Sequence, residues 1–283
     1  GVGQINTGRC GDFVASELAA FQNYRHLLGN YEAIFDYSHS HWAMRGISNL
    51  PALCFIWHDP MMMQPPVPSY GVCALSEWQR QRFKQFYRQE AQMLDPHCGP
   101  VAPVHPPGSS FLIVGKIGEK TRVLDAIAMC RELRVGLDII GVPGPGDPPE
   151  LLERVNKACN DEITYWGGVN DSARIALTQE ARALIYPVNY PIGMGEAHSH
   201  KSVDAFLVGC PVITYDMGAM SEVAENGLTG FLAQDREGFK RLMLEAIKLD
   251  RDVIQKRAIA RWSFKATGDR LEEALLAIAK GGK

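Results

Sequence analysis

Two acids flank a polar loop in the segment GEAHSHKSVDAFLVGCPVITY, which covers residues 195–215. Glu196 stands before the loop, and Asp204 follows it in an apolar stretch, about two helical turns further along the chain. An ionised carboxylate accepts hydrogen bonds from hydroxyl groups. Acids in this arrangement therefore suit the binding of a sugar or a ribose.

Positive charges are predicted to lie near the same place. Lys116 and Lys120 follow the apolar run FLIVG on a turn that contains glycine, and residues 199–202 form the polar start of a predicted helix. The N–H groups and the partial positive charge of a helix N-terminus favour phosphate. Two ammonium groups and these N–H groups would make a cradle for a diphosphate. Together with the two acids, they predict a site for a nucleotide-sugar.

The elements that must position these residues alternate between short apolar strands and helices. Helices are predicted over 120–134, 149–159 and 171–182, and another begins in the polar loop. The predicted strands are FLIVG (111–115), LDIIG (137–141), ITYWG (163–167), ALIYP (183–187), PVITY (211–215) and GFLA (230–233). This alternation predicts right-handed βαβ units in a parallel sheet that is covered on both faces. Ligands bind such sheets at the carboxyl ends of the strands, where the acids and lysines fall.

Length and local composition predict two domains. A chain of 283 residues is long enough for about two domains. The run DPHCGPVAPVHPPGSS is rich in Pro and Gly and has no periodicity, which is typical of a linker. We therefore expect an α/β N-terminal domain over 1–108, a C-terminal α/β domain over 109–263, and a helical tail over 264–283. A helix in the first domain is predicted to open with a capping box of Ser76 and Gln79.

The overall composition narrows the classes of protein. Hydrophobic residues make up 46% of the chain and charged residues 22%, which is a globular profile. The net charge of −3 gives no support for a nucleic-acid partner, which would favour a basic excess. No apolar run approaches the roughly 18 residues of a membrane span. The seven cysteines include no C-x-x-C pair and predict buried thiols in a reducing compartment. We therefore expect a cytoplasmic protein, with peripheral attachment to a membrane as the alternative.

Several motifs together resemble those of retaining glycosyltransferases with the GT-B fold, the glycosyl transferases group 1 class. The spacing of Glu196 and Asp204, followed by Ala205 and then by GCPVI, is similar to the signature of that class. The other similar segments, in the order of the family, are FLIVGKIGEKTRVLDAI, LDIIG, ITYWGGVNDSARIALTQEARALIYP and GAMSEVAENGLTGFLA. The first half matches more thinly, through FDYSHSHW, CFIWHDP and VCALSEWQRQRF.

The resemblance implies an architecture and a reaction. It implies two Rossmann-like domains facing a cleft, with the acceptor in a shortened first domain and the donor in the second. The C-terminal helices would cross back to the first domain. The reaction would move a hexose from a nucleoside diphosphate sugar to an acceptor hydroxyl, with retention of anomeric configuration. Because lysines and helix ends neutralise the leaving diphosphate, no metal or other cofactor is expected.

The resemblance also implies a role for each matching residue. Lys116 and Lys120 would hold the diphosphate, and Glu196 would contact hydroxyls of the transferred sugar. His58 would lie near the sugar and the acceptor, and we expect it to be catalytic together with the other three. The expected donor-binding residues are Lys116, Lys120, Glu196, His198, Ser199, His200, Lys201 and Asp204, of which the last would contact the ribose.

Other functions remain open on the residues alone. A metal-dependent hydrolase could use histidine clusters, because His-x-His and His-Asp pairs can ligate zinc or manganese. These pairs are His39/His41, His198/His200 and His58–Asp59. A non-catalytic binder of nucleotide-sugars is a further alternative. A dehydrogenase lacks its main sequence support, because no G-x-G-x-x-G follows a strand.

Overall fold

The computed structural model divides the chain into two compact units. The first unit contains residues 1–95 and 269–283, and the second contains residues 96–268. The structure describes residues 34–36, 52–56, 71–144, 147–188 and 194–280. The candidate metal ligands His39, His41, His58 and Asp59 lie outside these ranges.

The first unit contains a four-stranded parallel sheet. Its strands, in spatial order, are β1 (Ile34–Asp36), β2 (Ala52–Phe55), β3 (Gly71–Ala74) and β4 (Gln92–Met93). Parallel neighbours need a crossover connection, and helix α1 (Glu77–Tyr87) supplies the one between β3 and β4.

The start of α1 follows the predicted capping pattern only in part. Ser76 is the N-cap residue, and its hydroxyl accepts a hydrogen bond from the backbone N–H of Gln79 at 3.2 Å. The side chain of Gln79 does not complete the box. Its oxygen accepts from the N–H of Leu75 at 2.7 Å, and its amide donates to the carbonyl oxygen of Ile56 at 2.8 Å. Gln79 therefore ties the helix to the end of β2.

Helices cover both faces of this first sheet. Phe83 of α1 packs in a core with Cys54, Ile56, Val72 and Ala74. On the other face, a core of Leu53, Phe55, Cys73, Leu75 and Leu94 is covered by Leu271, Ala274, Leu275 and Ile278. These last four residues belong to the C-terminal helix α9 (Phe264–Ala279), so the end of the chain packs on the first unit as the sequence predicts.

The second unit contains a six-stranded parallel sheet. Its strands, in chain order, are β5 (Ser110–Val114), β6 (Gly136–Ile140), β7 (Ile163–Gly167), β8 (Leu184–Tyr186), β9 (Val212–Tyr215) and β10 (Gly230–Ala233). Their spatial order is β10-β9-β8-β5-β6-β7. Numbered within the unit, this is the doubly wound order 3-2-1-4-5-6 of a Rossmann fold. The predicted α/β fold class with Rossmann-like domains is confirmed.

Helices lie between and after these strands and pack on both faces of the sheet. They are α2 (Val123–Leu133), α3 (Pro149–Ala158), α4 (Asp171–Glu180), α5 (His200–Leu207), α6 (Met220–Val223), α7 (Arg236–Glu245) and α8 (Arg251–Trp262). Strand residues alternate between two cores, because successive side chains point to opposite faces. Phe111 and Ile113 lie in one core, while Leu112 and Tyr186 lie in the other, together with residues of α5 and α8.

The Pro-rich segment after β4 belongs to the second unit from residue 96 onward. The side-chain amide of Gln179 donates to the carbonyl oxygen of Pro103, and that of Gln255 donates to the carbonyl oxygen of Ala102. The division of the structure therefore falls after residue 95, where the sequence analysis placed it after residue 108. Proline-rich composition indicates irregular backbone, but it does not reveal which unit supplies the hydrogen-bond partners.

The cysteines follow the prediction of buried thiols only in part. Cys54, Cys73, Cys130 and Cys210 are buried, whereas Cys98 and Cys159 are exposed. Separately, none of the helices in the described ranges has the length and apolar character needed to cross a membrane.

Candidate functional site

The candidate site lies at the carboxyl edge of the second sheet, beyond strands β5 and β8. These two strands are neighbours, and the strand order runs in opposite directions on either side of them. Such a switch point opens a crevice, because the connections after the two strands leave toward opposite faces of the sheet. The loop with Lys116 follows β5, and the segment with Glu196 follows β8.

The turn that carries Lys116 is closed by a hydroxyl group. Thr121 Oγ1 lies 2.8 Å from the carbonyl oxygens of both Lys116 and Gly118, and it can donate to one of them at a time. The N–H of Gly118 donates back to this oxygen at 3.3 Å. A threonine side chain thus fixes the turn between the two predicted phosphate-binding lysines. Lys116 itself is exposed to solvent.

Two contacts fix the position of Glu196. The hydroxyl of Tyr186, the last residue of β8, donates a 2.6 Å hydrogen bond to Glu196 Oε2. The N–H of Ala219 donates to the carbonyl oxygen of Glu196 at 2.8 Å. The side chain is therefore held from the end of β8, and the backbone is held from the loop after β9.

Lys201 lies between Tyr186 and the turn after β5. Its ammonium nitrogen is 4.7 Å from the centre of the Tyr186 ring, a cation–π distance. A Cβ atom on Gly115, whose φ is +151°, would lie 2.5 Å from the same nitrogen. A side chain at position 115 would thus displace the ammonium group, so glycine leaves the space that Lys201 occupies.

The pKa of Lys201 depends on its burial and on the charges of Lys116 and Glu196. Burial lowers the pKa of Lys201 below its ordinary value, and the positive charge of Lys116 lowers this pKa further. The negative charge of Glu196 opposes both effects and favours the ammonium form. Two cations and one carboxylate are therefore close enough to interact. An incoming dianion would relieve the repulsion between the two lysines.

Helix α5 begins beside this group. Ser199 is its N-cap residue, and Ser199 Oγ accepts hydrogen bonds from the N–H and the hydroxyl of Ser202, at 3.3 and 2.8 Å. His200 and Lys201 are the first two residues of the helix. The side chain of Ser199 is thus committed to capping, which leaves the partial positive charge of the helix end as the local attraction for an anion.

Three histidines form a cluster at the start of α5. The Nε2 atoms of His97 and His200 lie 2.8 Å apart, so one ring donates a hydrogen bond to the other. The rings of His97 and His198 stack at 3.7 Å between centroids, and Trp262 packs edge-on against His198. His198 is buried among these rings, whereas His200 is exposed. His97 therefore anchors the loop that precedes α5.

Asp204 lies in α5 and is paired with an arginine of α4. Its Oδ2 atom is 2.5 Å from Arg174 Nη1, and both side chains are about three-quarters buried. Burial raises the pKa of the Asp204 carboxyl, and Arg174 opposes that shift. The acid predicted to contact a ribose is thus the partner of a largely buried guanidinium.

The sequence of this unit was compared with models of protein families. The model of the family described as "Glycosyl transferases group 1" matches residues 109–249, about half of the chain. Residues 109–249 belong to the glycosyl transferases group 1 family. The matched region contains all six strands of the second sheet and each of the residues from Lys116 to Asp204 described above. No curated protein sequence matches the chain.

Solved structures of glycosyltransferases have the same fold. A variant of S. aureus TarM, in complex with Fondaparinux, alpha-GlcNAc-glycerol and UDP, has a TM-score of 0.69 and 13% identity, over 91% of this chain and 58% of that one. Anabaena Alr3699/HepE in complex with UDP-glucose has a TM-score of 0.73 and 12% identity, over 91% and 82%. Sucrose-phosphate synthase from Thermosynechococcus elongatus has a TM-score of 0.74 and 14% identity, over 95% and 79%. The chain thus spans just over half the length of the first of these proteins, and the likeness shows the GT-B fold.

The structure brings some of the predicted site residues together and places others apart. Lys116, Glu196 and Lys201 come together, and His198, Ser199 and His200 build the start of α5. Asp204 faces α4. Lys120 is exposed on the 3-10 turn Glu119–Thr121, in the same loop as Lys116. His58, from the first unit, lies outside the described residues.

Three residues of this unit were missed by sequence reasoning. Tyr186 ends a predicted apolar strand, where a tyrosine is usually a core residue; its place at the carboxyl edge was the available signal. His97 lies in the segment interpreted as a linker. Arg174 lies in a predicted amphipathic helix, and no sequence pattern indicates that it pairs with Asp204.

Proposed function

We propose that this protein is a retaining glycosyltransferase, which moves a hexosyl group from a nucleoside diphosphate sugar to a hydroxyl group of an acceptor. The observation that carries the proposal is the grouping of Lys116, Lys201 and Glu196 at the switch point of a glycosyl transferases group 1 unit. Two cations beside the N-terminus of α5 suit a diphosphate. A carboxylate fixed beside them suits the hydroxyl groups of a sugar.

The donor in this proposal is a nucleotide-sugar of the kind found in related structures. Alr3699/HepE is in complex with UDP-glucose, and the TarM variant is in complex with UDP. In our chain, Lys116 and Lys201 would neutralise the diphosphate, and Glu196 would accept hydrogen bonds from the sugar. Lys120, in the same loop as Lys116, would add a further positive charge, and Asp204 is proposed to contact the ribose.

The proposed reaction requires charge stabilisation on the leaving group. The bond between the anomeric carbon and the diphosphate oxygen breaks, and its electron pair moves to the diphosphate. The ammonium groups and the helix N–H groups stabilise the charge as it develops. The acceptor oxygen forms the new bond on the face that the diphosphate leaves, and its proton passes to a departing phosphate oxygen. No metal is required in this scheme, because the protein supplies the positive charge.

Release of nucleoside diphosphate from a panel of donors tests this proposal. UDP-, GDP- and ADP-sugars should be incubated with the protein and with sugar and lipid acceptors, and the anomeric proton of the product should be followed by NMR. We expect one donor to be consumed with retention. We expect Glu196→Gln to lower the rate by about tenfold to a hundredfold, as for the loss of a hydrogen bond to a charged group. The exposed Glu153 provides the matched control, because Glu153→Gln should leave the rate unchanged. Absence of transfer and of donor hydrolysis with every donor would contradict the proposal, and an inverted product would contradict retention.

A further inference from the structure

Tyr186 contacts both of the groups to which the proposed function gives separate tasks. Its hydroxyl hydrogen is donated to Glu196 Oε2 at 2.6 Å, and its ring lies 4.7 Å from the ammonium nitrogen of Lys201. The residue itself is almost completely buried at the end of β8. One side chain thus joins the sugar-binding carboxylate to a diphosphate-binding cation.

The ring and the hydroxyl of Tyr186 act on different charges. The face of an aromatic ring attracts a cation, which stabilises the ammonium form of Lys201 against the burial that lowers its pKa. The hydroxyl donates to a carboxylate, which is a charge-assisted and therefore strong hydrogen bond. A carboxylate has about four acceptor positions, and the hydroxyl takes one of them.

The hydroxyl also decides where the carboxylate of Glu196 points. Lys201 and Glu196 attract each other, and a mobile carboxylate would turn toward the ammonium group. A carboxylate drawn into such a pair would turn away from the sugar, which needs it as an acceptor. The ammonium group of Lys201 contacts the Tyr186 ring and lies beside Gly115. The hydrogen bond from Tyr186 therefore holds the carboxylate of Glu196 in one orientation, which we assign to sugar binding.

We infer that Tyr186 is a positioning residue that fixes Glu196 for the sugar through its hydroxyl and supports Lys201 for the diphosphate through its ring. The inference rests on the proposed function and deepens it, because it separates recognition of the sugar from recognition of the diphosphate. Removal of the hydroxyl alone should therefore affect only the sugar. Removal of the ring as well should affect both parts of the donor.

Two variants of Tyr186 separate these effects. Tyr186→Phe keeps the ring over Lys201 and removes the hydrogen bond, whereas Tyr186→Leu removes both contacts. Tyr165→Phe is the matched control, because the Tyr165 hydroxyl donates to the carbonyl oxygen of Gly141 at 2.8 Å on the other face of the sheet. The Kd of each protein is measured by calorimetry for UDP, GDP and ADP, and for their glucose, galactose and N-acetylglucosamine derivatives. The readout is the ratio of the two Kd values, nucleoside diphosphate to nucleotide-sugar, for the nucleotide that binds best.

The expected result is a split between the two ligands. Tyr186→Phe should bind the nucleoside diphosphate as tightly as the wild type does. It should bind the nucleotide-sugar about tenfold more weakly than the wild type, as for the loss of a hydrogen bond to a charged group. Tyr186→Leu should also bind the nucleoside diphosphate several-fold more weakly. A merely structural role would weaken both ligands equally or neither, and it would leave the ratio unchanged.

Each other outcome has a definite meaning. An unchanged ratio in Tyr186→Phe would overturn this inference while leaving the proposed function intact. A wild-type protein that binds the diphosphate but gains nothing from the sugar would also overturn the inference. A wild-type protein that binds none of the nucleotides would overturn the proposed function, and the inference with it. If Tyr186→Leu fails to fold, the result for Tyr186→Phe decides alone.

Discussion

The backbone of Gly218 lies directly against the backbone of Glu196. A Cβ atom at position 218 would be 2.3 Å from the carbonyl oxygen of Glu196 and 2.5 Å from its nitrogen. Gly218 also has a φ of +63°, a conformation that residues with a side chain rarely adopt. The loop after β9 can therefore support the candidate sugar-binding acid only because residue 218 has no side chain.

Gly218→Ala is expected to displace Glu196. We predict a lower melting temperature and a loss of nucleotide-sugar affinity, because the clash is with backbone atoms that cannot rotate away. Gly227→Ala is the matched control, since Gly227 has a similar φ of +78° but no atom within 4 Å of the added Cβ. Both variants should lose about 1 kcal/mol through the backbone conformation. If Gly218→Ala and Gly227→Ala lowered the melting temperature and the nucleotide-sugar affinity by the same amounts, the contact between Gly218 and Glu196 would not be what supports the acid.

Lys201 is expected to make donor binding dependent on pH. Folding lowers the pKa of Lys201 from its ordinary value of 10.5. At a pH between the pKa of the folded protein and 10.5, the unfolded chain therefore binds more protons than the folded protein. This difference lowers the free energy of unfolding by its full amount when the pH is below the pKa of Lys201 in the folded protein. The effect disappears as the pH rises toward 10.5. A bound diphosphate raises the pKa of Lys201 again, so the protein should take up protons on binding in this window.

Calorimetry in buffers of different ionisation enthalpy measures this proton uptake. We expect uptake on nucleoside diphosphate binding by the wild type and much less uptake by Lys201→Met. Lys256→Met is the control, because Lys256 is exposed on α8. Affinity should fall as the pH rises through the folded pKa of Lys201. The same uptake in Lys201→Met as in the wild type would show that another group titrates.

The pair of Asp204 and Arg174 should show energetic coupling. Asp204→Asn removes the acid from a 2.5 Å contact in a site that is largely buried. Among the described residues, the guanidinium then keeps only the exposed carboxylate of Asp171, at 3.1 Å. We expect a loss of about 1–2 kcal/mol in the free energy of unfolding, less than the 3–5 kcal/mol of a fully buried pair. Arg174→Met combined with Asp204→Asn should recover part of this loss in a double-mutant cycle by urea unfolding. Strict additivity of the two changes would argue against coupling.

Chelation should leave transfer intact. Lys116, Lys201 and the start of α5 supply positive charge where the diphosphate is proposed to leave, so a divalent cation is not needed there. The rate of diphosphate release should be the same before and after dialysis against EDTA. A rate that falls on chelation and returns with zinc or manganese would favour the metal-dependent alternative instead, with His97 and His198 as the first candidates for ligands.

Much of the fold could be predicted because parallel strands are short, uniformly apolar and regularly spaced. The strands predicted at 163–167 and 230–233 have those bounds in the structure. The helix predicted at 120–134 begins later, at Val123, because a 3-10 turn precedes it and Arg122 adopts a φ of +49°. Helical propensity does not reveal such a break in the first turn.

The sequence predicts where the candidate site lies in the fold, but it does not predict which side chains contact each other there. Lys116 and Glu196 follow predicted strands, and the carboxyl ends of neighbouring parallel strands meet at one edge. The contact of Lys201 with Tyr186 depends on the direction in which α5 leaves the sheet, and the sequence does not contain that direction in any local pattern. His97 was hidden for a similar reason, since its partner His200 is distant in the chain.

The central claim is that a diphosphate binds between Lys116, Lys201 and the N-terminus of α5. Its most direct test is the Kd of the nucleoside diphosphate that the wild-type protein binds best, measured for Lys116→Met, Lys201→Met and the control Lys256→Met. We expect each of the first two variants to lose affinity by about tenfold or more, as for lost contacts to a charged group, while the control keeps the wild-type affinity. Wild-type affinity in both Lys116→Met and Lys201→Met would show that the diphosphate does not bind between these lysines.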